Sequence, residues 1–303
     1  MNRLRSLFLG LALLGAGWVT PVQASAKKAT LGVFLPTTLT DGQERFQYAE
    51  SLAGRLSKAT GRPTSAKSFA RYEDFTRAIS EGLIDFAVVD AWAAVQLGAK
   101  ATPVALAPLA GETSQRWAIV SNAKGSVKDL AGKRLAIVKG AGAVDPRFVT
   151  NVVFAGDLDA KKHFKLTPVP NVESALKMLE AKGAEAALVP LAHVPAGMRV
   201  LFRSAKVPGA LLMGMRGEAD ELTESLQKLE PVAPFGAFVA PQGREVEELR
   251  KQLATGPSRR QPVLADAPAL RVETRALLEP GVLQPVLPSF ADALDVTAEQ
   301  PDD

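Results

Sequence analysis

This sequence predicts an α/β fold in two similar lobes, and three observations carry that prediction. Strand-like and helix-like stretches alternate along the chain, the pattern of a parallel sheet covered by helices. Two distant segments, residues 72–92 and 171–190, share one design: an amphipathic helix, a glycine break and a short apolar strand. The chain has 303 residues, room for about two domains of roughly 100–200 residues each.

Residues 1–26 are read as lying outside the fold. Arg3 and Arg5 form a positive start, residues 7–19 an apolar core, and Ala24-Ser25-Ala26 a small-residue cleavage pattern. Together these make a cleavable export signal. The apolar run is shorter than the roughly 20 residues that a membrane-spanning helix needs. The chain has no cysteine, so an exported protein of this size relies on its apolar core and offers no thiol for lipid attachment. No later apolar run reaches about 18 residues, and the mature chain is expected to be free, not membrane-spanning, and a monomer.

Residues 29–36 read as a first buried strand. Thr37, Thr38, Thr40 and Asp41 follow as candidate caps for a helix over 43–60, with Phe46, Ala49, Leu52, Ala53 and Leu56 on its inner face. Gly61-Arg62-Pro63 stops that helix, and residues 65–69 form a second strand. In residues 72–92, Phe75, Ala78, Ile79 and the Gly82–Leu83 pair fall on one helix face. Gly82 ends the helix, and residues 85–90 read as a short buried strand. A parallel-sheet strand delivers its C-terminal residues into the crevice where α/β proteins hold ligands. Asp90, Ala91 and Trp92 are therefore the first candidates for the rim of a binding site.

Residues 101–110 are interrupted by Pro103 and Pro108, which places them at an edge or a crossover. The composition turns polar over 111–115, and the lobe boundary is set there. A strand over 116–122 opens the second lobe, followed by a strand over 134–138 and a helix carrying Arg147, Phe148, Val152 and Val153. Residues 171–190 repeat the helix–break–strand design, with the break at Gly183. An apolar run at 210–213, a helix near 218–229 and a closing helix near 245–253 complete the body. From 257 the chain is proline-rich, and residues 266–303 hold eight acids against Arg271 and Arg275. This tail is expected to wrap the body or stay unstructured. The body is correspondingly basic, which suits an anionic ligand or simply a solvated basic surface.

The loop from Lys139 to Arg147 is the foremost candidate site. Gly140 and Gly142, after a strand and opening a helix, expose backbone N–H groups at the positive end of a helix dipole. Lys139 and Arg147 add charge-assisted hydrogen bonds for a phosphate-like or carboxylate group; the alternative is a plain glycine-rich turn. Trp92 offers a flat apolar wall or a core side chain. Thr37 and Thr38 bond a ligand or cap a helix. His193 follows the strand ending at Pro190 and is placed on the cleft side of the second lobe.

Enzyme and nucleic-acid functions find no support. Two histidines, His163 and His193, and no cysteine leave no zinc spacing, and no metal or cofactor is expected. No G-x-S-x-G elbow, dinucleotide fingerprint or P-loop occurs. Aromatic content of 6% and the lack of a dense basic stripe argue against nucleic acid.

Tyr72, the helix behind it, the small-residue break and the strand ending at Asp90 resemble a segment of the periplasmic substrate-binding proteins of ABC transporters, phosphate/phosphite/phosphonate type. The turn Asp129-Leu130-Ala131-Gly132-Lys133 matches the turn that opens their second lobe. The resemblance implies a type 2 periplasmic binding protein: two lobes, each a mostly parallel sheet flanked by helices, around a ligand cleft. It implies residues 27–112 and 209–256 in lobe 1 and 113–208 in lobe 2, and a tyrosine at 72 against the ligand. It also implies a periplasmic, non-enzymatic protein that captures a small ligand, phosphonate-like anions among the candidates, for an ABC permease. A sensor or protein-interaction role on the same fold is the alternative. The sequence departs from the family in two places. Gly140-Ala141-Gly142-Ala143 carries no hydroxyl where members have serines and threonines, and Asp90-Ala91 stands where many have Gly-Pro.

Overall fold

The structure, a computed structural model, describes residues 27–139, 146–241, 244–256 and 270–271. The first part of the chain runs β1 (Ala29–Phe34), α1 (Gly42–Thr60), β2 (Thr64–Ser68), α2 (Tyr72–Ser80), β3 (Phe86–Asp90), α3 (Ala91–Leu97) and β4 (Ala101–Ala107). After β5 (Ser114–Gln115) come β6 (Trp117–Ser121), β7 (Arg134–Val138), a π-helical turn (Phe148–Val153), α4 (Ala160–His163) and β8 (Lys165–Val169). They are followed by α5 (Val172–Glu180), β9 (Ala186–Pro190), β10 (Arg199–Arg203), β11 (Val207–Pro208), β12 (Ala210–Met215), α6 (Ala219–Ser225), α7 (Glu245–Thr255) and β13 (Leu270–Arg271).

Local chemistry sets the element ends. Asp41 caps α1 by accepting from the Glu44 N–H at 2.8 Å, so the cap is the last of the four candidates and the threonines are released for other duty. The buried face of α1 is Arg45, Tyr48, Ala49, Leu52, Ala53 and Leu56. Phe46, expected on that face, is 53% exposed, because it sits one residue, about 100° of helix rotation, beyond Arg45. After α2 the chain turns at Gly82 (φ 73°), where an added Cβ would lie 1.8 Å from the Arg216 guanidinium. That turn throws Leu83 outward, 45% exposed, against the expectation that it shares the buried face. The second copy of the design solves its turn differently. Lys182 takes the left-handed conformation (φ 57°), one residue before the expected glycine.

Two sheets follow, in the orders β2-β1-β3-β12-β4 and β13-β10-β6-β9-β7-β8. In the first, β1 runs parallel to β2 and β3, while β12 is antiparallel to β3 and β4. In the second, β7 is parallel to β8 and β9, and β6 is antiparallel to β9 and β10. The sheets are thus mixed rather than mostly parallel, for a topological reason. Strands that end at the cleft share one direction, whereas β6 and β12 enter their sheets from the crossing between lobes and run the other way. The crossing itself is a ribbon pairing Gln115 with Val207 and Ser114 with Pro208.

Alternation along the strands divides the core. On β3, Phe86 and Val88 face the cluster under α1 and α6, while Ala87 and Val89 face a second cluster that runs through α3 into the other sheet. Arg62 fastens α6 to the first lobe through Glu218 at 2.7 Å and through Glu221. Helix α7 packs against α3 and against the π-helical turn of the other lobe, so residues 209–256 do not sit on one lobe alone. Among the described residues no helix is long and apolar enough to cross a membrane.

Candidate functional site

The ends of β1 and β3 and the start of α2 face the ends of β7, β8 and β9 across the cleft. The larger cavity between them, about 660 Å³, is lined by Phe34, Pro36 and Tyr72 from one lobe and by Lys139, Val169 and Pro170 from the other. A second cavity of about 400 Å³ lies beside the crossing ribbon, with Thr38, Gln115, His193 and Ala210 in its wall. A third, about 410 Å³, is bounded by Tyr72, Gln96, Arg147, Arg250 and Leu253.

The lobes touch along this cleft. The Asn171 side-chain amide donates to the Thr40 carbonyl at 3.3 Å, and Lys139 Nζ meets the Glu73 carboxylate at 2.6 Å. Both ionic partners are about half exposed, so their pair contributes about 0–1 kcal/mol; it aligns the lobes more than it holds them. Lys139 holds the Glu73 carboxyl below its usual range. Neither contact was anticipated from the sequence. The one available signal was that Asn171 heads the second helix–break–strand unit as Tyr72 heads the first.

Thr37, Thr38 and Asp90 come together, but beneath the rim. The Asp90 carboxylate accepts from the Thr37 N–H at 2.9 Å, from Thr37 Oγ1 at 2.5 Å and from Thr38 Oγ1 at 2.5 Å. Asp90 and Thr37 are wholly buried and Thr38 nearly so. Burial pushes the Asp90 pKa up, and the threonine hydrogen bonds pull against it. Trp92 is also buried rather than at the rim. Its ring stands edge-on to Phe34, 5.7 Å between centroids, and tilted 5.6 Å from Tyr72. The reason is the length of β3: the strand ends at Asp90, and α3 starts at once and carries Ala91 and Trp92 inward.

His193 lies where expected, at the cleft end of β9. Burial pulls its pKa down, opposed by the Thr38 backbone, Glu44 and the Thr37 backbone of the facing lobe. Arg147 borders the third cavity, which shares Tyr72 and Gln96 with the larger one. Gly140 and Gly142 lie outside the described residues. Among the described residues no group of histidine and carboxylate side chains could hold a metal ion.

Tyr72 is therefore the predicted residue best placed to meet a ligand, since it lines two cavities. Partial burial pushes its hydroxyl pKa up to about 12, and full burial pushes Tyr48 up as well. These are the two tyrosines of the chain. A folded pKa above the unfolded value of about 10 means that the folded state holds the proton longer. The associated stability is complete below pH 10 and is lost as pH rises through about 12 for Tyr72. Absorbance at the tyrosinate band should accordingly stay nearly flat up to about pH 11 and rise above it, as Tyr72 ionises near 12 and alkaline unfolding exposes Tyr48. Half-ionisation near pH 10 in the folded protein would show that Tyr72 is solvated.

The sequence matches the model of the family described as ABC transporter, phosphonate, periplasmic substrate-binding protein over residues 37–229. No curated protein matches it significantly. Among solved structures, a Xanthomonas citri protein bound to ATP superposes with a TM-score of 0.60 at 14% identity, covering 75% of this chain and 97% of that one. The binding protein component of an ABC phosphonate transporter from Pseudomonas aeruginosa gives 0.59 at 17% identity, over 75% and 85%. A methylphosphonate-bound protein from Prochlorococcus marinus gives 0.55 at 12% identity, over 75% and 98%. At these identities the structural likeness is one of fold, the two-lobed type 2 periplasmic binding protein, and the family match extends over well more than half of the chain. The chain belongs to the phosphonate-type periplasmic substrate-binding proteins of ABC transporters.

Proposed function

We propose that this protein is an exported, non-enzymatic receptor that closes its lobes on a small solute and presents the closed form to an ABC permease. In this reading residues 1–26 are the export signal and the mature chain works in the periplasm. Lobe 1 comprises residues 27–112 with most of 209–256, and lobe 2 residues 113–208. The crossing ribbon of β5 and β11 is the hinge. The observation that carries the reading is the cavity of about 660 Å³ between the lobes, within the range that suits a small-molecule ligand. Tyr72 lies against the ligand there. Arg147 and His193 contribute at its flanks, and Gly140 and Gly142 join them as ligand-binding residues.

Thermal melting with a panel of phosphate, phosphite, alkylphosphonates, amino acids, carboxylates and cationic metabolites tests this. A ligand at about 100 times its Kd adds roughly 2.7 kcal/mol of stability, which a melt resolves. Tyr72→Ala is expected to weaken the responding ligand by about tenfold or more, equivalent to about 1.4 kcal/mol. A flat panel on folded protein would count against solute capture.

A further inference from the structure

Helix α7 follows the first-lobe elements β12 and α6 in the chain, yet its packing ties it to the other lobe. The chain is held on the first sheet as far as Val239, whose N–H donates to the Leu106 carbonyl at 3.0 Å and whose carbonyl accepts from the Leu106 N–H at 2.8 Å. From Glu245 its neighbours change. Helix α7, with Val246, Leu249 and Leu253 buried, packs most extensively against the π-helical turn of lobe 2, and less against α3 of lobe 1 and β11 of the crossing ribbon. Its end is fastened to lobe 2 as well. The Leu253 carbonyl lies in the last turn, where helix carbonyls lack an intrahelical donor, and it accepts from the Asn151 side-chain amide of the π-helical turn at 2.9 Å. The seam toward α3 is looser. There the cavity of about 410 Å³ has Tyr72, Val95 and Gln96 of lobe 1 in its wall, together with Arg250 and Leu253 of α7 and Arg147, which heads the π-helical turn. An unfilled gap forfeits dispersion contacts along its lining, so this seam costs less to shift than the packed and capped one.

We infer that α7 moves as part of lobe 2: when the lobes open, it travels with the π-helical turn and slides over α3, so the chain crosses between moving bodies a third time after Val239. Small sliding of packed helices is one of the ways in which domains shift against each other. The slip plane runs between α7 and α3, beside Tyr72. This inference rests on the hinge reading above and adds which elements move together.

Spin labels on the purified protein test it, and the absence of cysteine from the chain keeps the labelling clean. Cysteine replaces the exposed residues Glu50 on α1, Glu180 on α5 and Lys251 on α7, two at a time, so that the three pairs report lobe 1 to lobe 2, lobe 1 to α7 and lobe 2 to α7. Double electron–electron resonance measures each distance twice, once in the native background and once with Glu73→Lys and Asn171→Asp. These changes turn the Lys139 ion pair and the Thr40 hydrogen bond between the lobes into repulsions, and aspartate retains the helix cap that Asn171 provides. The α1–α5 and α1–α7 distances should both shift, and the α5–α7 distance should stay. A shifted α5–α7 distance overturns the inference, and a constant α1–α7 distance beside it places α7 on lobe 1. Should the opened variant not fold, Asn151→Ala in the native background decides: it should broaden the α5–α7 distribution, and an unchanged distribution overturns the inference. Failure of the hinge reading looks different. None of the three distances then changes in the folded variant, and the inference falls with that reading.

Discussion

Asp90→Ala is expected to destabilise the protein by about 3 kcal/mol, read as a lower urea midpoint at unchanged m-value. The carboxylate satisfies one amide and two hydroxyls in a site with essentially no solvent access. Each buried donor left without an acceptor costs about 1–3 kcal/mol, which for three donors would reach well above the expected figure. Two effects reduce it. The hydroxyls rotate to seek other acceptors, and removing a buried carboxylate recovers part of its desolvation cost. Arg45, nearly buried and electrostatically coupled to Asp90, loses a favourable charge in the same step and pushes the figure back up. Asp90→Asn keeps the shape and two lone pairs, so it should lose less than half as much. A loss below about 1 kcal/mol in the alanine variant would mean that the threonines find other acceptors and that the carboxylate is not the keystone of this loop.

Trp92→Ala is expected to cost about 4 kcal/mol and to weaken whatever solute the cleft binds. Trp92 is among the largest fully buried side chains, 1% exposed, and removal of a buried aromatic ring costs about 3–5 kcal/mol. The functional part follows from what it supports. Phe34 and Tyr72 line the larger cavity, and Trp92 stands behind both, within 5.7 Å and 5.6 Å of their ring centroids. With that backing gone, the two rings can tilt away from the cavity, and a ligand must spend affinity to order them. Urea melts combined with a binding titration separate the two roles. Trp92→Phe should retain most of the stability and most of the affinity. An alanine variant that is much less stable yet binds as tightly as the native chain would reduce Trp92 to a core residue.

Residues 72–92 show how far the sequence alone reaches. The spacing of Phe75, Ala78 and Ile79 predicts a helix face that the structure buries, and Gly82 turns the chain where predicted. The apolar stretch after it is a wholly buried strand. The same design read at 171–190 is also present. These features are legible because they arise from neighbours three or four positions apart, whose side chains share a helix face or alternate across a strand. Strand direction in the sheets was less legible. It depends on where the chain crosses between lobes, which no local pattern encodes.

The site divides in the same way. Of the nine residues that the sequence nominates, Tyr72 lines two cavities, Thr38, His193 and Arg147 line one each, Thr37, Asp90 and Trp92 are buried, and Gly140 and Gly142 lie outside the described residues. What each one does is a tertiary matter. Asp90 reads as a carboxylate offered to a ligand, yet its partners are two threonines 52 and 53 residues away. A carboxylate at a strand end binds whichever donor reaches it first, and here that donor is the loop after the neighbouring strand β1. Pairing of β1 with β3 makes the meeting inevitable, and that pairing is a long-range contact. Periodicity along the chain therefore establishes the elements and the strand ends at which chemistry collects. Packing between distant segments decides which of those groups face the cleft and which are already satisfied within the protein.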